Sequence, residues 1–391
     1  MRILMILDHE FPPDIRVENE IEALVDAGHE IHLACFTRKN LSEYEKQENC
    51  HIHRKPISTL VYKSSVAALT FPVYFRFWRK FINHLIKEHR INAIHVHDLP
   101  LSEVAAAICR KNNIPLTVDL HENWPAYLRM SQHTKSLMGR ILSPNRKWIK
   151  YEKQVLHKAD HIIVVVDEAR ERLTQLGLDP SIIHVVSNTL NLEHFSISGT
   201  AATHSDLILF YAGGLNYHRG LQVVLQALAK VKDSHPELKF WILGEGSYKE
   251  ELQEICAQLD LEDRVIFHGW IPYEKMIEML IQADYALIPH LKSDHTDSTI
   301  PHKLFQYMYA KKPVISSDCV PIERIVKETN AGYIYPSNNA DDLATILQNL
   351  KEDEKKKLGD NGARWVEQRF NWNNDSSVLK KIYGNLSTDE N

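Results

Sequence analysis

The residues best suited to chemistry lie in a run that begins at Ser298 and predicts a polar loop, a helix and a buried strand. The hydroxyl of Ser298 or Thr299 can cap the helix by accepting from its free N–H groups, and Pro301 suits the first helical position. Lys303 would lie in the first turn, where the N–H groups and the helix dipole already favour an anion. The run therefore predicts an anion site, with a surface lysine on a capped helix as the alternative.

A second cation follows the apolar run 207–211 in a glycine-bearing loop. Gly213 and Gly214 precede Arg219, and a helical pattern starts at Leu221. Glycine lets a backbone approach a phosphate closely, and arginine can bind that phosphate through two hydrogen bonds. The loop favours phosphate binding, although glycines that merely turn the chain explain it equally well.

In the first half of the chain, polar side chains follow apolar runs of strand length. His121 and Glu122 follow the run 116–120, and Asp98 follows the run 93–97. Ligands of parallel α/β sheets bind at the carboxyl ends of the strands, so these residues are candidates for a site. The alternatives are a hydrogen-bonded core histidine and, for Asp98, a cap of the next helix.

Such apolar runs alternate with helical patterns along the chain, which is typical of parallel α/β sheets. The predicted strands are 3–7, 30–36, 93–97, 116–120, 162–166, 183–186, 207–211, 239–243, 265–267, 285–288, 314–316 and 333–335. The predicted helices include 16–27, 101–111, 221–231, 248–259, 273–282 and 302–310. The polar segment 195–205 has no period and predicts a linker. We therefore expect two doubly wound domains, 1–195 and 205–370, followed by a helix in 371–391.

In this order the motifs resemble those of retaining glycosyltransferases of family 4, also called group 1 glycosyltransferases, over most of the chain from Ile3 to Gly332. The run 301–315 is similar to the family's P-x-K-[LI]-F-E-Y-M-A-x-G-K-P-V-I, and the loop 211–221 is similar to Y-x-G-R-L-x-x-x-K-G-L. Residues 241–248 resemble L-x-G-x-G-P, residues 265–271 resemble F-x-G-x-V, and 117–122 read T-x-D-x-H-E.

The resemblance implies a GT-B fold, in which two Rossmann-like α/β domains with parallel sheets face each other across a cleft. The first domain would then take the acceptor, the second would bind a UDP- or GDP-sugar, and the C-terminal helix would pack back on the first domain. The implied reaction moves the sugar to a hydroxyl of a lipid-linked or growing cell-surface glycan and keeps the anomeric configuration. We expect no metal and no cofactor, because no D-x-D pair is present to hold a metal.

The resemblance also assigns individual residues. The catalytic contact with the donor sugar falls on His121. The contacts to the donor diphosphate fall on Arg219, Lys303, Thr299, Ile300 and Gly214. Those to the ribose and base fall on Gln306, Gly244, Gly246, His268 and Gly269. Residues on the donor-sugar or acceptor side are Arg16, Asp14, Asp98, Glu122 and Ser298.

The chain also departs from the family pattern. The family's two glutamates, eight residues apart, are Ser298 and Gln306 here, and its second basic loop residue falls on Gly214. A glycine pair that opens the first helix is replaced by Ile15 and Arg16. Arg16 could contact the substrate or pair with the glutamate four residues later. Loss of the first glutamate leaves two other functions open: a nucleotide-sugar epimerase of the same architecture and a non-catalytic binding subunit.

Composition limits the class of protein. The chain of 391 residues has a net charge of -5, yet residues 61–160 contain sixteen lysines and arginines against seven acidic residues. This asymmetry indicates an anionic partner or a solvated charged face, and we expect no nucleic acid. Five scattered cysteines predict reduced thiols in a cytoplasmic protein. None of the 22 histidines belongs to a recognisable metal motif. The N-terminal apolar run is too short for a signal peptide, and no run could cross a bilayer.

The segment from Tyr74 to Lys87 predicts a basic amphipathic helix with an aromatic-rich face. Its apolar face suits packing on a sheet, and its arginines and lysines suit the surface of an anionic membrane. Core packing alone and peripheral contact with the inner face of a membrane are both open at this stage.

Overall fold

The computed structural model describes residues 1–130, 142–195, 197 and 206–388. The chain forms two compact units: unit 1 consists of Met1–Ser187 and Asn373–Asn391, and unit 2 consists of Asn188–Trp372. Most of the predicted linker, 195–205, lies outside the described residues.

Unit 1 contains one eight-stranded sheet within the described residues. Its strands are β1 (Arg2–Ile6), β2 (Glu30–Thr37), β3 (Tyr44–Gln47), β4 (Cys50–Pro56), β5 (Ala93–His97), β6 (Leu116–Leu120), β7 (His161–Val164) and β8 (Ile183–Val185). The strand order is β3-β4-β2-β1-β5-β6-β7-β8, and only the β3–β4 pair is antiparallel.

Helices cover this sheet. They are α1 (Ile15–Asp26), α2 (Thr59–Lys63), α3 (Val73–His89), α4 (Ser102–Asn112), α5 (Trp124–Met130), α6 (Asn145–Leu156) and α7 (Asp167–Gln175), with 3-10 turns at Ser64–Ala67 and Pro180–Ile182. Strands β1 and β6 are buried along nearly their whole length, as expected for parallel strands covered on both faces.

Unit 2 contains a six-stranded parallel sheet in the order β11-β10-β9-β12-β13-β14, formed by β9 (Leu207–Ala212), β10 (Leu238–Leu243), β11 (Val265–Gly269), β12 (Tyr285–Ile288), β13 (Val314–Ser317) and β14 (Gly332–Tyr335). Its helices are α8 (Leu221–Val231), α9 (Lys249–Gln258), α10 (Tyr273–Gln282), α11 (Lys303–Tyr309), α12 (Val320–Thr329), α13 (Ala340–Gln348) and α14 (Glu352–Gln368), with 3-10 turns at Tyr217–Arg219 and Thr296–Ser298. The last helix, α15 (Trp372–Thr388), starts at the end of unit 2 and continues into unit 1.

The predicted class of fold, two α/β domains with parallel sheets, is confirmed. All five cysteines are buried and unpaired. None of the helices in the described residues combines the length and hydropathy that a bilayer crossing requires. The aromatic face of α3 packs inward through Tyr74, Trp78 and Phe81, and Phe77 on the same helix is half-buried.

Two predicted helix caps were wrong. Helix α11 begins at Lys303 and its N-cap is His302, so Pro301 lies ahead of the helix. Ser298 ends the preceding 3-10 turn, and its hydroxyl donates instead to the carbonyl of Asp294, which lies just before that turn. Helix α4 has Leu101 as its N-cap. The carboxylate expected to cap it, that of Asp98, accepts from the N–H of His121 (3.3 Å).

Candidate functional site

In unit 2 the first residue of α11, Lys303, lies against the loop that follows β9. Its ammonium is 4.1 Å from the ring centre of Tyr211, and the Tyr211 hydroxyl donates to the carbonyl of Gly214 (2.9 Å). A Cβ atom on Gly213 would collide with the Lys303 ammonium. The structure therefore brings together the lysine and the glycine loop that were both predicted to bind the diphosphate.

Arg219 ends a 3-10 turn just before α8. Its Nη1 lies 3.1 Å from Nε2 of His290, a residue that follows β12. The Nε atom of Arg219 is buried and has no hydrogen-bond partner among the described residues. Of the carboxylates in the described ranges, none forms an ion pair with Arg219 or with Lys303.

The electrostatics of this group show a surplus of positive charge. Burial, and after it the charge of Arg219, lowers the pKa of Lys303 well below its usual value. Burial, Arg219 and Lys303 also lower the pKa of His290 well below its usual value. Because both shifts arise from burial among cations, an anion bound here would relieve the repulsion. Arginine and lysine side chains can both donate charge-assisted hydrogen bonds to a phosphate group, and the phosphate role of this pair stays a prediction.

The predicted nucleotide-side glycines hold loops together at the carboxyl ends of β9, β10 and β11. A Cβ atom on Gly244 would overlap the carbonyl of Gly213, and one on Gly246 would overlap the backbone of Leu215. The N–H of Gly244 donates to the carbonyl of Gly269 (2.7 Å). These glycines are thus required for close backbone packing, and their contact with a nucleotide stays a prediction.

Two further candidates for the ribose and base lie near the same strand ends. Gln306 is buried on α11, and its amide donates to the hydroxyl of Tyr273 (3.2 Å). The ring of His268 packs edge-to-face on Trp241 with centroids 5.7 Å apart, and burial lowers its pKa. Gln306 is thus held in place by α10, whereas His268 has the surroundings of a packing residue.

Thr299 and Ile300 form the extended segment between the 3-10 turn and α11. Ile300 is buried, and its carbonyl accepts from the side-chain amide of Asn188 (3.1 Å). Thr299 is half-buried. Ser298, which stands where the family has a glutamate, is buried.

In unit 1 a buried charge network is centred on Asp119, the fourth residue of β6. Arg16 donates from Nε to Oδ2 of Asp119 (3.0 Å) and from Nη2 to Oδ1 (2.7 Å). Nε2 of His121 lies 2.8 Å from Oδ2 of the same carboxylate, and Nδ1 of His97 lies 3.3 Å from it. His121 directly follows the end of β6, and its ring turns back to the carboxylate two residues before it.

Arg16 belongs to the interior of this network, with only 5% of its surface exposed. Its Nη2 lies 3.0 Å from Oε1 of Glu20, and its Nη1 donates to the carbonyl of Val186 (3.1 Å). The pairing with Glu20 that the sequence left open is therefore present. In this structure Arg16 positions Asp119, and any effect of Arg16 on a sugar would pass through that carboxylate.

The network fixes the charge of its members at neutral pH. Burial opposes ionisation of His121, but Asp98 and Asp119 raise its pKa to about 10. Burial opposes ionisation of Asp119 too, but Arg16 and His121 hold its pKa well below the usual value. Burial and Asp119 together raise the pKa of Glu20 to about 8. The network thus contains an imidazolium, a carboxylate and a guanidinium in contact.

The exposed fraction of each side chain shows which members of the Asp119 network a ligand could reach. The side chains of Asp98 and His121 are 23% and 18% exposed, whereas that of Asp119 is fully buried. Glu122 is half-buried. Asp14 caps α1 by accepting from the N–H of Val17 (3.1 Å). Burial alone would raise the pKa of Asp14, but the hydrogen bond to His9 and other partners lower it below its usual value.

Sequence reasoning missed His290 and Asp119 as site residues. Both lie at carboxyl strand ends, like the residues that were found: His290 comes just after β12, and Asp119 is the fourth of the five residues of β6. A search for every polar residue at a carboxyl strand end would have found both.

Two models of known protein families match the chain, one over most of unit 1 and the other over most of unit 2. The model of Glycosyltransferase Family 4 matches residues 15–194, and the model of Glycosyl transferases group 1 matches residues 194–365. The phosphatidyl-myo-inositol mannosyltransferase of Mycolicibacterium smegmatis is 24% identical over 99% of this chain and 94% of its own. The α-D-kanosaminyltransferase of Streptomyces kanamyceticus is 22% identical over 69% of this chain and 70% of its own.

Solved structures are similar over nearly the whole chain. Sucrose-phosphate synthase from Thermosynechococcus elongatus has a TM-score of 0.80 at 18% identity and covers 99% of both chains. HepE of Anabaena, solved in complex with UDP, has a TM-score of 0.71 at 16% identity, over 99% of this chain and 100% of its own. At these identities the likeness shows a shared fold.

Proposed function

The chain belongs to the group 1 glycosyltransferases and has their GT-B fold, and from this premise we propose that it transfers a sugar from a nucleotide diphosphate sugar to a hydroxyl acceptor with retention of configuration. The observation that carries the proposal is the pair of cations Arg219 and Lys303, which repel each other and have no carboxylate partner among the described residues.

The difficult part of such a transfer is the negative charge that develops on the leaving diphosphate. The bond from the anomeric carbon to the phosphate oxygen breaks, and a bond to the acceptor oxygen forms on the same face of the sugar. The acceptor proton passes to the released diphosphate. Arg219 and Lys303 are already in place before the bond breaks, so their charges stabilise the leaving group without reorganisation. They would do so without a metal ion, on either a UDP- or a GDP-sugar.

In unit 1 we assign the sugar-facing contacts to His121 and Asp98, the most exposed members of the Asp119 network. The His121 imidazolium can donate to a hydroxyl, and the Asp98 carboxylate can accept from one. Asp119 and Arg16 hold them from behind, which restricts the orientation of the imidazole. An acceptor such as a lipid-linked glycan fits the name of the mycobacterial relative, which is a phosphatidyl-myo-inositol mannosyltransferase.

The diphosphate site is tested by calorimetric titration of UDP and GDP into the wild type and two variants, Lys303→Ala and Arg219→Ala. Each variant loses a charged hydrogen-bond partner, so the affinity for whichever nucleotide binds should fall about tenfold or more. The control is Lys327→Ala, which removes an exposed lysine paired with Glu323. Unchanged affinity in Lys303→Ala would show that the phosphate role is wrongly assigned.

Turnover separates the proposal from its two alternatives. Incubation with UDP- and GDP-sugars in the absence of acceptor should release free sugar slowly, because water replaces the acceptor hydroxyl. An epimerised donor would identify an epimerase instead. Tight nucleotide binding with no turnover on any donor or acceptor would identify a binding subunit, as the replacement of the family's glutamate by Ser298 could cause.

We further propose that α3 contacts an anionic membrane surface. Its basic side chains Arg76, Arg79 and Lys80 are exposed, and neighbouring apolar side chains are exposed too: Leu60 80%, Phe71 53% and Val73 43%. Sedimentation with phosphatidylglycerol vesicles should carry the protein down, and the double variant R76E/R79E should stay in solution. Equal binding of wild type and double variant, or equal binding to phosphatidylcholine vesicles, would refute the contact.

A further inference from the structure

Histidines that are far apart in the sequence come together in unit 1. His32 lies on β2, His51 and His53 lie on β4, and His89 is the last residue of α3. Parallel pairing of β2 with β4 sets His32 beside His51 and His53 two positions further along. Because alternate residues of a strand share a face, the three strand histidines lie on the same side of the sheet. The ring of His89 lies over them, 4.5 Å from that of His32 and 4.8 Å from that of His53.

The ring nitrogens of three of these residues converge. Nδ1 of His32 is 3.0 Å from Nε2 of His53, and one nitrogen from each of His32, His53 and His89 lies within 4.8 Å of the others. In a tetrahedral zinc site with Zn–N bonds of about 2.0–2.1 Å, the ligand nitrogens are about 3.3 Å apart. Small side-chain rotations would therefore convert this cluster into a ligand set.

The surroundings of His32 suit a metal ligand. Its Nε2 lies 3.1 Å from Oε1 of Glu30, whose other oxygen accepts from Arg2 (3.2 Å). When Nε2 carries the proton and donates to Glu30, the lone pair is on Nδ1, the atom that faces His53. Histidines that bind metals almost always donate their second N–H to a carboxylate or a carbonyl in this way.

The other two histidines have nitrogens available. The ring of His89 makes no hydrogen bond or ion pair with any described residue. Nε2 of His53 faces Nδ1 of His32, and a metal ion bound between the two rings would replace that contact. His51 is held differently, because its Nδ1 is hydrogen-bonded to the hydroxyl of Tyr44 (2.9 Å).

A second set of side chains, Glu20, His95, His97 and Asp119, has similar spacing. All four are fully buried, and the Asp119 carboxylate is already neutralised by the Arg16 guanidinium. A dication placed there would lie beside that guanidinium, so this set is a poor ligand group.

We propose that His32, His53 and His89 bind one divalent transition-metal ion of the zinc class, with water in the fourth position. Three imidazole ligands without a thiolate suit Zn²⁺, Co²⁺, Ni²⁺ and Cu²⁺. The ion joins β2, β4 and the C-terminal end of α3. His32 is the third of the eight residues of β2 and His53 is the central residue of β4, whereas His121 follows the carboxyl end of β6. The metal site is thus separate from the proposed transfer site and stabilises the edge of the sheet.

The test uses full-length protein without a histidine tag, titrated with ZnCl2 against a chromophoric chelator. The wild type should bind one equivalent, and His53→Ala and His89→Ala should each weaken that binding about tenfold or more. Zinc should raise the melting temperature of the wild type and leave that of the variants unchanged. With Co²⁺, the wild type should show the visible absorption of a tetrahedral site.

The matched control is the double variant H161A/H184A. These two histidines also meet through a ring-nitrogen contact, of 3.1 Å, but they belong to no group of three or more ligands among the described residues. The control should bind zinc as the wild type does. If His53→Ala fails to fold, His89→Ala decides, because His89 is half-buried at a helix end. Zinc affinity in His89→Ala equal to wild type, or lost in the control, would overturn the proposal.

Discussion

At the scale of single residues, Lys303 and His121 show how surroundings set charge. Both side chains are largely shielded from solvent, but the charge nearest to Lys303 is that of Arg219, whereas the charges nearest to His121 are those of Asp98 and Asp119. The pKa of Lys303 is therefore lowered and that of His121 is raised. Lys303 therefore lacks an anionic partner that a ligand could supply, whereas the charge of His121 is already balanced by two carboxylates of the protein.

Donor binding should take up a proton at Lys303. A diphosphate beside this lysine restores the stability of its ammonium form and raises its pKa, so nucleotide affinity should weaken as the pH is raised from neutral to alkaline. Calorimetric titration of UDP or GDP in buffers of different ionisation enthalpy measures the uptake directly. Lys303→Met provides the comparison: it should bind weakly with no proton uptake, and it should unfold at a higher temperature, since a buried amine beside Arg219 is replaced by an apolar side chain. Uptake that persists in Lys303→Met would assign the proton to another group.

His121 should make the free energy of unfolding depend on pH. Its folded-state pKa of about 10 exceeds its ordinary value of 6.5, so the stabilisation is complete below pH 6.5 and is lost as the pH rises through about 10. The difference in unfolding free energy between the wild type and His121→Gln should shrink across this range. Chemical denaturation at several pH values measures it, and a difference that stays constant with pH would contradict an imidazolium at this position.

At the scale of elements, the loop before α8 depends on one glycine. Gly220 has a φ of 74°, and a Cβ atom there would overlap the carbonyl of Pro289. Gly220→Ala should therefore cost at least about 2 kcal/mol of unfolding free energy and disturb the adjacent Arg219. Gly384→Ala is the matched control, because Gly384 lies within α15 with open space around it. That change should stabilise the protein by about 1 kcal/mol. Equal effects of the two changes on denaturant unfolding would contradict this view of the loop.

The sequence allowed the parallel strands to be predicted because their apolar runs are buried on both faces and contrast sharply with the helical patterns. The hairpin of β3 and β4 was missed, since β3 is mostly exposed and reads as a polar loop. The start of α11 was placed too early because Ser298 is a good capping residue in isolation. Its hydroxyl is used by a 3-10 turn that depends on the fold around it.

The candidate site was only partly predictable for a related reason. Lys303, Arg219 and His121 were found because they lie inside motifs. The partners that set their charge, such as Asp119 and His290, come from separate strand ends and become visible only when strands are placed side by side. The histidine group of unit 1 is the extreme case, because its members lie on two strands and a helix between residues 32 and 89.

At the scale of the whole molecule, unit 1 is discontinuous, because the chain leaves it after Ser187 and returns at Asn373. The hydroxyl of Tyr383 on α15 lies 2.9 Å from Nδ1 of His95 on β5, and both residues are fully buried. The returning helix is thus part of the core of unit 1.

Tyr383→Phe should destabilise unit 1 by about 1–3 kcal/mol, since it leaves a buried partner unsatisfied. Hydrogen exchange should show loss of protection at β5 and β6, with unit 2 amides unchanged. The control, Tyr335→Phe in unit 2, removes a buried hydroxyl that has no hydrogen-bond partner among the described residues. It should be neutral or stabilising. Loss of protection confined to unit 2 in Tyr383→Phe would contradict the placement of α15.

The return of α15 also fixes an order of events during translation. All of unit 2 leaves the ribosome before residues 373–388 do, so a nascent chain contains the complete six-stranded sheet of unit 2 while β5 still lacks its covering helix. Unit 1, whose sheet is synthesised first, is therefore the last unit to complete its fold. Until α15 docks, the uncovered part of that sheet is the surface that a chaperone would recognise.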